Sequence, residues 1–324
     1  MQRKKWAMNQ FVLLSVNSDI RFPNIGITLH NVPQGFKIFG FQIALYGIVI
    51  ALGMILGVLI AVWQAKRTGQ DPELYFDFAL YAIIISVIGA RLYYVVFAWS
   101  EFKDNPLLIL NLRTGGLAIY GGVIAAILTG IVYCRIKKCP FFRLADTGML
   151  GLLIGQVIGR WGNFFNREAF GKFTNSLFAM QISLADVSSD YTCSLQTLAQ
   201  RYQGRQAAYD RIIEIRDRIQ VVDGISYIQV HPTFLYESLW NLVLLILLIF
   251  YSKHKKFEGE ILFLYLAGYG LGRVWMEGLR TDQLFLWGTP IAVSQALSAL
   301  LVVGAGGCIL YKRLSMQRKT AKKK

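Results

Sequence analysis

Several polar side chains follow directly after a purely apolar stretch in the segment GRWGNFFNREAFG, residues 159–171. Arg160 carries a planar guanidinium that can hold a phosphate through two parallel hydrogen bonds. Asn163 and Asn166 add neutral donors and acceptors, and the carboxylate of Glu168 can orient an arginine. This combination of residue types predicts a binding site for an anionic group where the apolar stretch ends.

A second polar group occurs in GLGRVWMEGLRTD, residues 270–282. Arg273 and Glu277 are four residues apart, so on a helix they can form an ion pair. Arg280 then leaves an excess positive charge, although taken alone it is equally consistent with an arginine that extends its charged end to lipid head groups. Excess positive charge beside hydrocarbon is energetically expensive, and it indicates an anionic ligand.

Other residues that could do chemistry lie near the ends of apolar runs, and each also has a simpler structural interpretation. Tyr120, within GGLAIYGG, is equally consistent with an interfacial aromatic side chain, and the glycines around it with close helix packing. His231 and Glu237, in HPTFLYES, begin another run, where His231 can simply cap a helix. Arg91 lies too deep in its run to reach head groups, so we expect a polar partner for it within the bundle. Tyr46 lies near the start of the first run.

The composition identifies the elements that must position these side chains. Of 324 residues, 55% are hydrophobic and 16% charged, and the mean hydropathy is +0.44, which is typical of membrane proteins rather than soluble ones. Because about 20 apolar residues span a bilayer, seven runs are predicted to be transmembrane helices: 41–63, 76–99, 116–133, 144–158, 234–251, 261–276 and 290–311. The predicted fold class is an all-α polytopic membrane protein with about seven transmembrane helices and a small extracytoplasmic cap.

Lys and Arg are distributed unevenly between the connections, which predicts the orientation of the chain. They concentrate after the first, third and fifth runs and in the C-terminal tail, as expected for cytoplasmic segments. The N-terminus and the long connection after the fourth run are then outside, and the polar groups meet at the outer leaflet. The net charge of +15 is spread over separate loops without a nucleic-acid motif, so we expect attraction to anionic lipid and no nucleic-acid binding.

The chain is expected to divide into five segments, and an amphipathic helix is predicted around residues 195–220 within the third. These segments are an extracytoplasmic tail at 1–40, the first four helices at 41–171, an extracytoplasmic cap loop at 172–230, the last three helices at 231–311 and a basic cytoplasmic tail at 312–324. The four cysteines include no CxxC pair, and no metal site is predicted.

The sequence resembles the prolipoprotein diacylglyceryl transferase family. GRWGNFFNREAFG matches the family signature G-R-x-[GA]-N-F-x-N-x-E-x-x-G at every fixed position. The resemblance also covers YG at Tyr46, GARLYYVVF at Gly89, GGLAIYGG, HPTFLYES and GRVWMEGLR, and so runs from the first predicted helix to the last. The first twenty residues and the loop at 172–230 carry no family motif.

This resemblance implies an enzyme of the bacterial cytoplasmic membrane that performs the first step of lipoprotein maturation. The diacylglyceryl group of phosphatidylglycerol would move to the lipobox cysteine in the signal peptide of a prolipoprotein, giving a thioether and glycerol 1-phosphate. No metal or dissociable cofactor is implied. The corresponding residues expected to bind phosphatidylglycerol are Tyr46, Arg160, Asn163, Asn166, Glu168, Gly171 and Arg273.

Catalysis is expected to involve Arg160, Arg273 and Glu277, together with a residue that accepts the thiol proton. The family often has His where this chain has Tyr120, and a phenol, with a pKa near 10, is a good base for a thiol only if nearby arginines lower that pKa. His231 has the better ordinary pKa for this role. Alternatively, positive charge alone can stabilise the thiolate.

Two other classes of function fit the sequence less well. A transporter or scramblase that only escorts phospholipid head groups predicts a polar path through the whole bilayer, but the inner halves of the predicted helices hold little beyond Asp77 and Asp146. A structural membrane anchor would leave the polar cluster of the outer leaflet without a purpose. The transferase interpretation accounts for the cluster and is therefore preferred.

Overall fold

The computed structural model describes residues 11–13, 19–112, 115–203, 205–281, 283, 285, 289 and 291–321. The predicted N-terminal and C-terminal tails therefore lie partly outside the described residues. Within these residues the chain is mostly helical, and its helices are α1 (Leu45–Arg67), α2 (Pro72–Phe97), α3 (Ile119–Lys137), α4 (Phe141–Asn166), α5 (Leu195–Arg201), α6 (Gln206–Arg216), α7 (Thr233–Tyr251), α8 (Glu260–Glu277) and α9 (Val293–Ala321).

Six helices of the described chain are long and apolar enough to cross a membrane, namely α1, α2, α3, α4, α7 and α9. The 18 residues of α8 include Glu260, Arg273 and Glu277, and α8 is not among the six. These helices confirm a polytopic membrane protein. The helix α4 continues to Asn166, beyond the predicted end at residue 158, so Arg160 and Asn163 lie on its last turns and not in a loop.

Among the described residues, two small antiparallel sheets accompany the helices. One has the order β1 (Phe11–Leu13), β4 (Gly35–Ile38), β5 (Phe41–Ala44), and the other has the order β3 (Ile27–Leu29), β2 (Ile20–Phe22), β6 (Met180–Ser183), β8 (Ile225–Val230), β7 (Gln220–Val222). The expectation of an all-α chain omitted them. Because β5 pairs with β4, the first helix begins at Leu45 and not at residue 41.

The amphipathic helix predicted around 195–220 is two shorter helices, α5 and α6. Ser194 caps α5, since its side chain accepts a hydrogen bond from the Thr197 amide, and Tyr202 leaves the helical conformation at φ −107° and ψ 18°. Residue 220 already belongs to β7. Three of the apolar residues whose spacing suggested the helix are nevertheless buried, namely Leu198, Ile212 and Ile215.

A single hydrophobic core joins the larger sheet, α5 and α6 to the ends of α4 and α7. Its buried members include Ile20, Phe22, Met180, Ile182, Leu198, Ile212, Ile215, Ile228 and Val230, together with Phe164 of α4 and Phe234 of α7. Burial of one such side chain contributes about 1.5–3 kcal/mol. The core therefore fixes the last turns of α4 beside the first turns of α7, which are the turns that carry polar residues.

The chain divides into two compact units. The first comprises residues 1–55, 153–249 and 263–324, and the second comprises 56–152 and 250–262. The larger sheet and its core belong to the first unit. The second unit contains α2 and α3, whose backbones approach closely where Gly121 faces Gly89, so close packing accounts for Gly121.

Arg91 has the polar partners expected within the bundle, and they are backbone carbonyls. Its guanidinium donates to the carbonyl oxygens of Leu108 at 2.6 Å, Gly115 at 2.8 Å and Ile109 at 2.9 Å. Two further bonds of 3.0 Å reach Asn111 and Gly116. The side chain is buried. Arg91 therefore holds the connection between α2 and α3 and is a structural residue.

Candidate active site

Glu237, in the first turns of α7, forms ion pairs with three arginines from different parts of the chain. Its carboxylate lies 2.7 Å from Nη2 of Arg160, on α4, and 3.4 Å from Nη1 of Arg273, on α8. The distance to Nη1 of Arg280, just after α8, is 3.3 Å. Only 6% of the Glu237 side chain is exposed, so the three ion pairs form where water screens them little.

Arg273 also pairs with Glu277 at 2.8 Å, which confirms the ion pair that their spacing predicts. Taken by themselves, the three guanidinium groups and two carboxylates of these four ion pairs carry a net charge of +1. The side chain of Arg280 is only 11% exposed and is paired with Glu237, so the head-group interpretation of Arg280 does not apply. We call these five residues the arginine cluster: Arg160, Glu237, Arg273, Glu277 and Arg280.

The other polar residues of the signature form a separate group beside Arg160. The side-chain amides of Asn163 and Asn166 donate to the same oxygen of Glu168, at 3.1 and 3.3 Å. Glu168 was expected to orient an arginine. In the described contacts it orients the two asparagines, and Glu237 orients the arginines.

Tyr46 lies against α4 because Gly162 has no side chain. A Cβ atom added to Gly162 would be 2.7 Å from Cδ2 of the Tyr46 ring. The ring thus covers the helix between Arg160 and Asn163, and the phenol belongs to the same group of side chains as the signature. The structure places Tyr46 with the predicted substrate-binding residues.

Gly171 lies where three parts of the chain meet. Its amide donates to the carbonyl of His231 at 2.9 Å, and the amide of Lys172 donates to the carbonyl of Leu279 at 2.8 Å. A Cβ atom added to Gly171 would lie 2.7 Å from Cβ of His231. Gly171 therefore allows the end of the signature to join the starts and ends of the helices that carry Glu237 and Arg273. Its predicted contact with substrate stays a prediction.

His231 precedes α7 and is half-buried, with Nδ1 3.3 Å from the hydroxyl of Tyr236. Burial lowers the pKa of His231 below its ordinary value of 6.5, and the positive charge of Lys172 lowers it further. The imidazole is therefore neutral at pH 7 and can accept a proton. This property is the one that a general base needs.

Tyr120 belongs to the second unit, where it lies in the first turn of α3 with 49% of its surface exposed. The arginine cluster, Tyr46, the asparagines and His231 all belong to the first unit. The structure therefore brings most of the predicted site residues together, and the role of Tyr120 as a base stays a prediction.

Glu237 is the functional residue that sequence reasoning undervalued. In the sequence Glu237 is one of the polar residues at the start of an apolar run, and this position alone predicts no role for it. The sequence feature that could have identified Glu237 is a carboxylate within TFLYESLWNL, the start of a largely apolar helix. An unpaired charge at such a position would be very costly. Neighbouring hydrogen bonds fix the helix that carries it, since Ser238 accepts from Trp161 Nε1 at 3.2 Å and donates to the Val157 carbonyl at 2.9 Å.

The model of one family, prolipoprotein diacylglyceryl transferase, matches residues 33–311. This chain belongs to that family. Relatives described as phosphatidylglycerol–prolipoprotein diacylglyceryl transferase include one from Clostridioides difficile, which is 40% identical over 88% of this chain and 96% of its own length. Another, from Listeria monocytogenes serovar 1/2a, is 39% identical over 88% of this chain and 91% of its own.

A relative from Bacillus cytotoxicus, with the same description, is 39% identical over 89% of this chain and 96% of its own length. The matched regions contain the whole arginine cluster, since the family model extends from residue 33 to 311. Membership makes the chain a multi-pass membrane enzyme that transfers diacylglyceryl groups. The arginine cluster offers this enzyme a fixed, positively charged site of the kind that binds phosphate.

Replacement of Glu237 by Gln should destabilise the protein. The amide keeps the shape but removes the charge that three arginines share, so the free energy of unfolding should fall by about 3–5 kcal/mol, the usual cost of breaking a buried ion pair. Denaturant titration of the purified protein in detergent micelles measures this. The matched control is Glu258→Gln, because its pair with Arg143 is partly exposed, with 36% of the Glu258 side chain accessible against 6% for Glu237, and should contribute less than about 1 kcal/mol. Equal stability of the two variants would contradict the central role of Glu237.

Proposed function

We propose that this chain transfers the diacylglyceryl group of phosphatidylglycerol to the thiol of the lipobox cysteine in a prolipoprotein signal peptide. The products are a thioether-linked lipid on the peptide and glycerol 1-phosphate, and the reaction is the first step of bacterial lipoprotein maturation. The observation that carries the proposal is the arginine cluster, in which a single buried carboxylate orients three guanidinium groups.

Arg160 and Arg273 hold the phosphate of the lipid head group. Their guanidinium groups are oriented by Glu237, and Arg273 also by Glu277, so they need not reorganise when the lipid binds. The excess positive charge of the cluster matches the single negative charge of a phosphodiester. Among the described residues each amide of Asn163 and Asn166 donates one N–H to Glu168, so the second N–H and the carbonyl oxygen can bind the glycerol hydroxyl groups of the head group.

In the reaction, the cysteine thiolate attacks the glyceryl carbon that carries the phosphate ester oxygen. A carbon–sulfur bond forms, the carbon–oxygen bond breaks, and its electron pair remains on the leaving phosphate. The phosphate charge therefore changes from −1 to −2 while the thiolate loses its own charge. Donors fixed at the place where negative charge develops stabilise the transition state by several kcal/mol.

Three routes for the thiol proton remain, namely Tyr120, His231 and no dedicated base. The neutral imidazole of His231 supports the second route. The third rests on the arginine cluster, which can stabilise a thiolate directly.

The membrane arrangement that fits this reaction has seven transmembrane helices, with α8 as the additional one. The distribution of Lys and Arg supports an N-terminus outside, a cytoplasmic basic tail at 312–324 and an extracytoplasmic cap at 172–230. The arginine cluster then lies at the outer leaflet of the cytoplasmic membrane, where an exported prolipoprotein meets phosphatidylglycerol. The segment boundaries at residues 40, 171, 230 and 311 belong to this proposal.

Purified protein incubated with phosphatidylglycerol vesicles and a lipobox peptide should increase the peptide mass by one diacylglyceryl unit, as measured by mass spectrometry. A peptide with Ala in place of Cys should not change. Arg160→Lys keeps the charge but loses the bidentate geometry, so turnover at saturating lipid should fall by about tenfold or more, whereas the exposed Arg218 should tolerate Lys. Binding of lipid without any mass change would favour the head-group escort function, and full turnover by Arg160→Lys would overturn the clamp.

If His231 is the base, the acid limb of kcat/KM should have its midpoint below pH 6.5, because the lowered pKa keeps the imidazole neutral to more acidic pH. The pH profile of peptide modification measures this, and His231→Asn should remove the limb. His30, an exposed histidine beside Asp19, provides the control, since His30→Asn should leave the profile unchanged. A limb that persists in His231→Asn would assign the proton to another group.

A further inference from the structure

A small cavity lies between α7 and α8, beside the arginine cluster. Residues of both helices line it, including Glu237, Trp240, Asn241, Tyr269 and Arg273. Its volume is about 10 Å³, which is space for about one oxygen atom of the size of a water molecule. The reaction described above gives no role to Asn241, although it shares this cavity with two members of the arginine cluster.

Asn241 lines this cavity with an amide that no described residue uses. The residue is only 2% exposed, and its side chain forms no hydrogen bond with any part of the chain that the structure describes. Its neighbours in the lining are occupied, since Glu237 and Arg273 form ion pairs and Nε1 of Trp240 donates to the Gly268 carbonyl at 3.0 Å. A buried amide without a partner is costly, so the Asn241 amide is suited to bind a polar atom that enters the cavity.

Gln64 provides a contrast, because it is a buried amide in another long apolar helix. Gln64, on α1, is also 2% exposed. Its Nε2 donates to Oγ of Ser252 at 2.9 Å, and its Oε1 accepts from Nη1 of Arg67 at 3.2 Å. Both polar groups of this amide are therefore satisfied within the protein. Gln64 has the contacts of a structural amide, and Asn241 does not.

The position of Asn241 along α7 indicates which atom enters. Asn241 follows Glu237 by four residues, which is one helical turn or about 6 Å along the axis. On α8, Tyr269 precedes Arg273 by the same spacing. In both helices the uncharged residue lies nearer the middle of the helix than its charged neighbour. Because the middle of a membrane-spanning helix lies in hydrocarbon, the amide lies on the hydrocarbon side of the arginine cluster.

Phosphatidylglycerol has oxygen atoms at this level. Its two ester groups are attached to the glycerol carbons that do not carry the phosphate, and they lie between the phosphate and the acyl chains. An ester carbonyl oxygen accepts hydrogen bonds, and an asparagine amide donates them. A phosphate held by Arg160 and Arg273 therefore brings an ester carbonyl to the level of Asn241 when the acyl chains extend into the membrane.

We propose that Asn241 donates a hydrogen bond to an ester carbonyl oxygen of the bound phosphatidylglycerol, and so makes the site selective for a lipid with ester-linked chains. The inference rests on the proposed function and adds to it the part of the lipid that lies beyond the phosphate. The carbon that the thiolate attacks lies between the phosphate and the ester groups. Holding the lipid on both sides of this carbon fixes its direction towards the thiolate.

The test compares diester and diether phosphatidylglycerol as lipid donors in transfer to a lipobox peptide, for the wild type, Asn241→Leu and the control Gln64→Leu. A diether lipid keeps the head group and the phosphodiester but has no carbonyl oxygen. We expect the wild-type kcat/KM to be about fivefold higher for the diester, the usual contribution of one hydrogen bond. Asn241→Leu should lose this preference through slower transfer from the diester, with diether transfer changed by less than about twofold. Gln64→Leu should keep the wild-type preference.

Equal use of the two lipids by the wild type would overturn the inference, and this comparison decides alone if Asn241→Leu does not fold. An Asn241→Leu variant that keeps the preference would also overturn it. So would an equal loss of transfer from both lipids, because that result would assign the cavity to a water molecule and Asn241 to the fold. Loss of the preference in Gln64→Leu would contradict a specific bond to Asn241. Absence of transfer from the diester by the wild type would instead overturn the proposed function, and the inference with it.

Discussion

A buried carboxylate surrounded by arginines is the interaction on which the rest of this structure depends. Charges are expensive within or beside hydrocarbon, and Glu237 makes three guanidinium groups tolerable there by pairing with all of them. Because the network retains a positive charge, it remains complementary to an anion. In the proposed mechanism, the same residue both stabilises the fold and keeps the arginines in position for a phosphate.

The remainder of the first unit brings the partners of Glu237 to one place. The hydrophobic core of the larger sheet holds the end of α4 beside the start of α7, through Phe164 and Phe234. The backbone junction at Gly171 ties the same region to the end of α8, which carries Arg273. The short strands outside the helices therefore help to position the site. They hold the ends of α4, α7 and α8 close enough for their side chains to form ion pairs.

The sequence predicted the long helices, and it indicated the residues of the candidate site, because the signals for both are local. Apolar runs identify helices, and the signature places Arg160, Asn163 and Glu168 within a few positions. The sheets could not be found in the same way, since their strands are short and Ile20 pairs with Ile182, half the length of the chain away. The role of Glu237 was also hidden, because it depends on which helix ends meet.

The most direct test of the central claim is a structure of the protein with phosphatidylglycerol bound in a lipid nanodisc. We expect the lipid phosphate about 3 Å from guanidinium nitrogens of both Arg160 and Arg273, with Glu237 still paired to both arginines. A phosphate bound elsewhere, with the arginine cluster closed upon itself, would contradict it. In that case the cluster would be a purely structural ion network, and the transfer chemistry would have to be sought at another site.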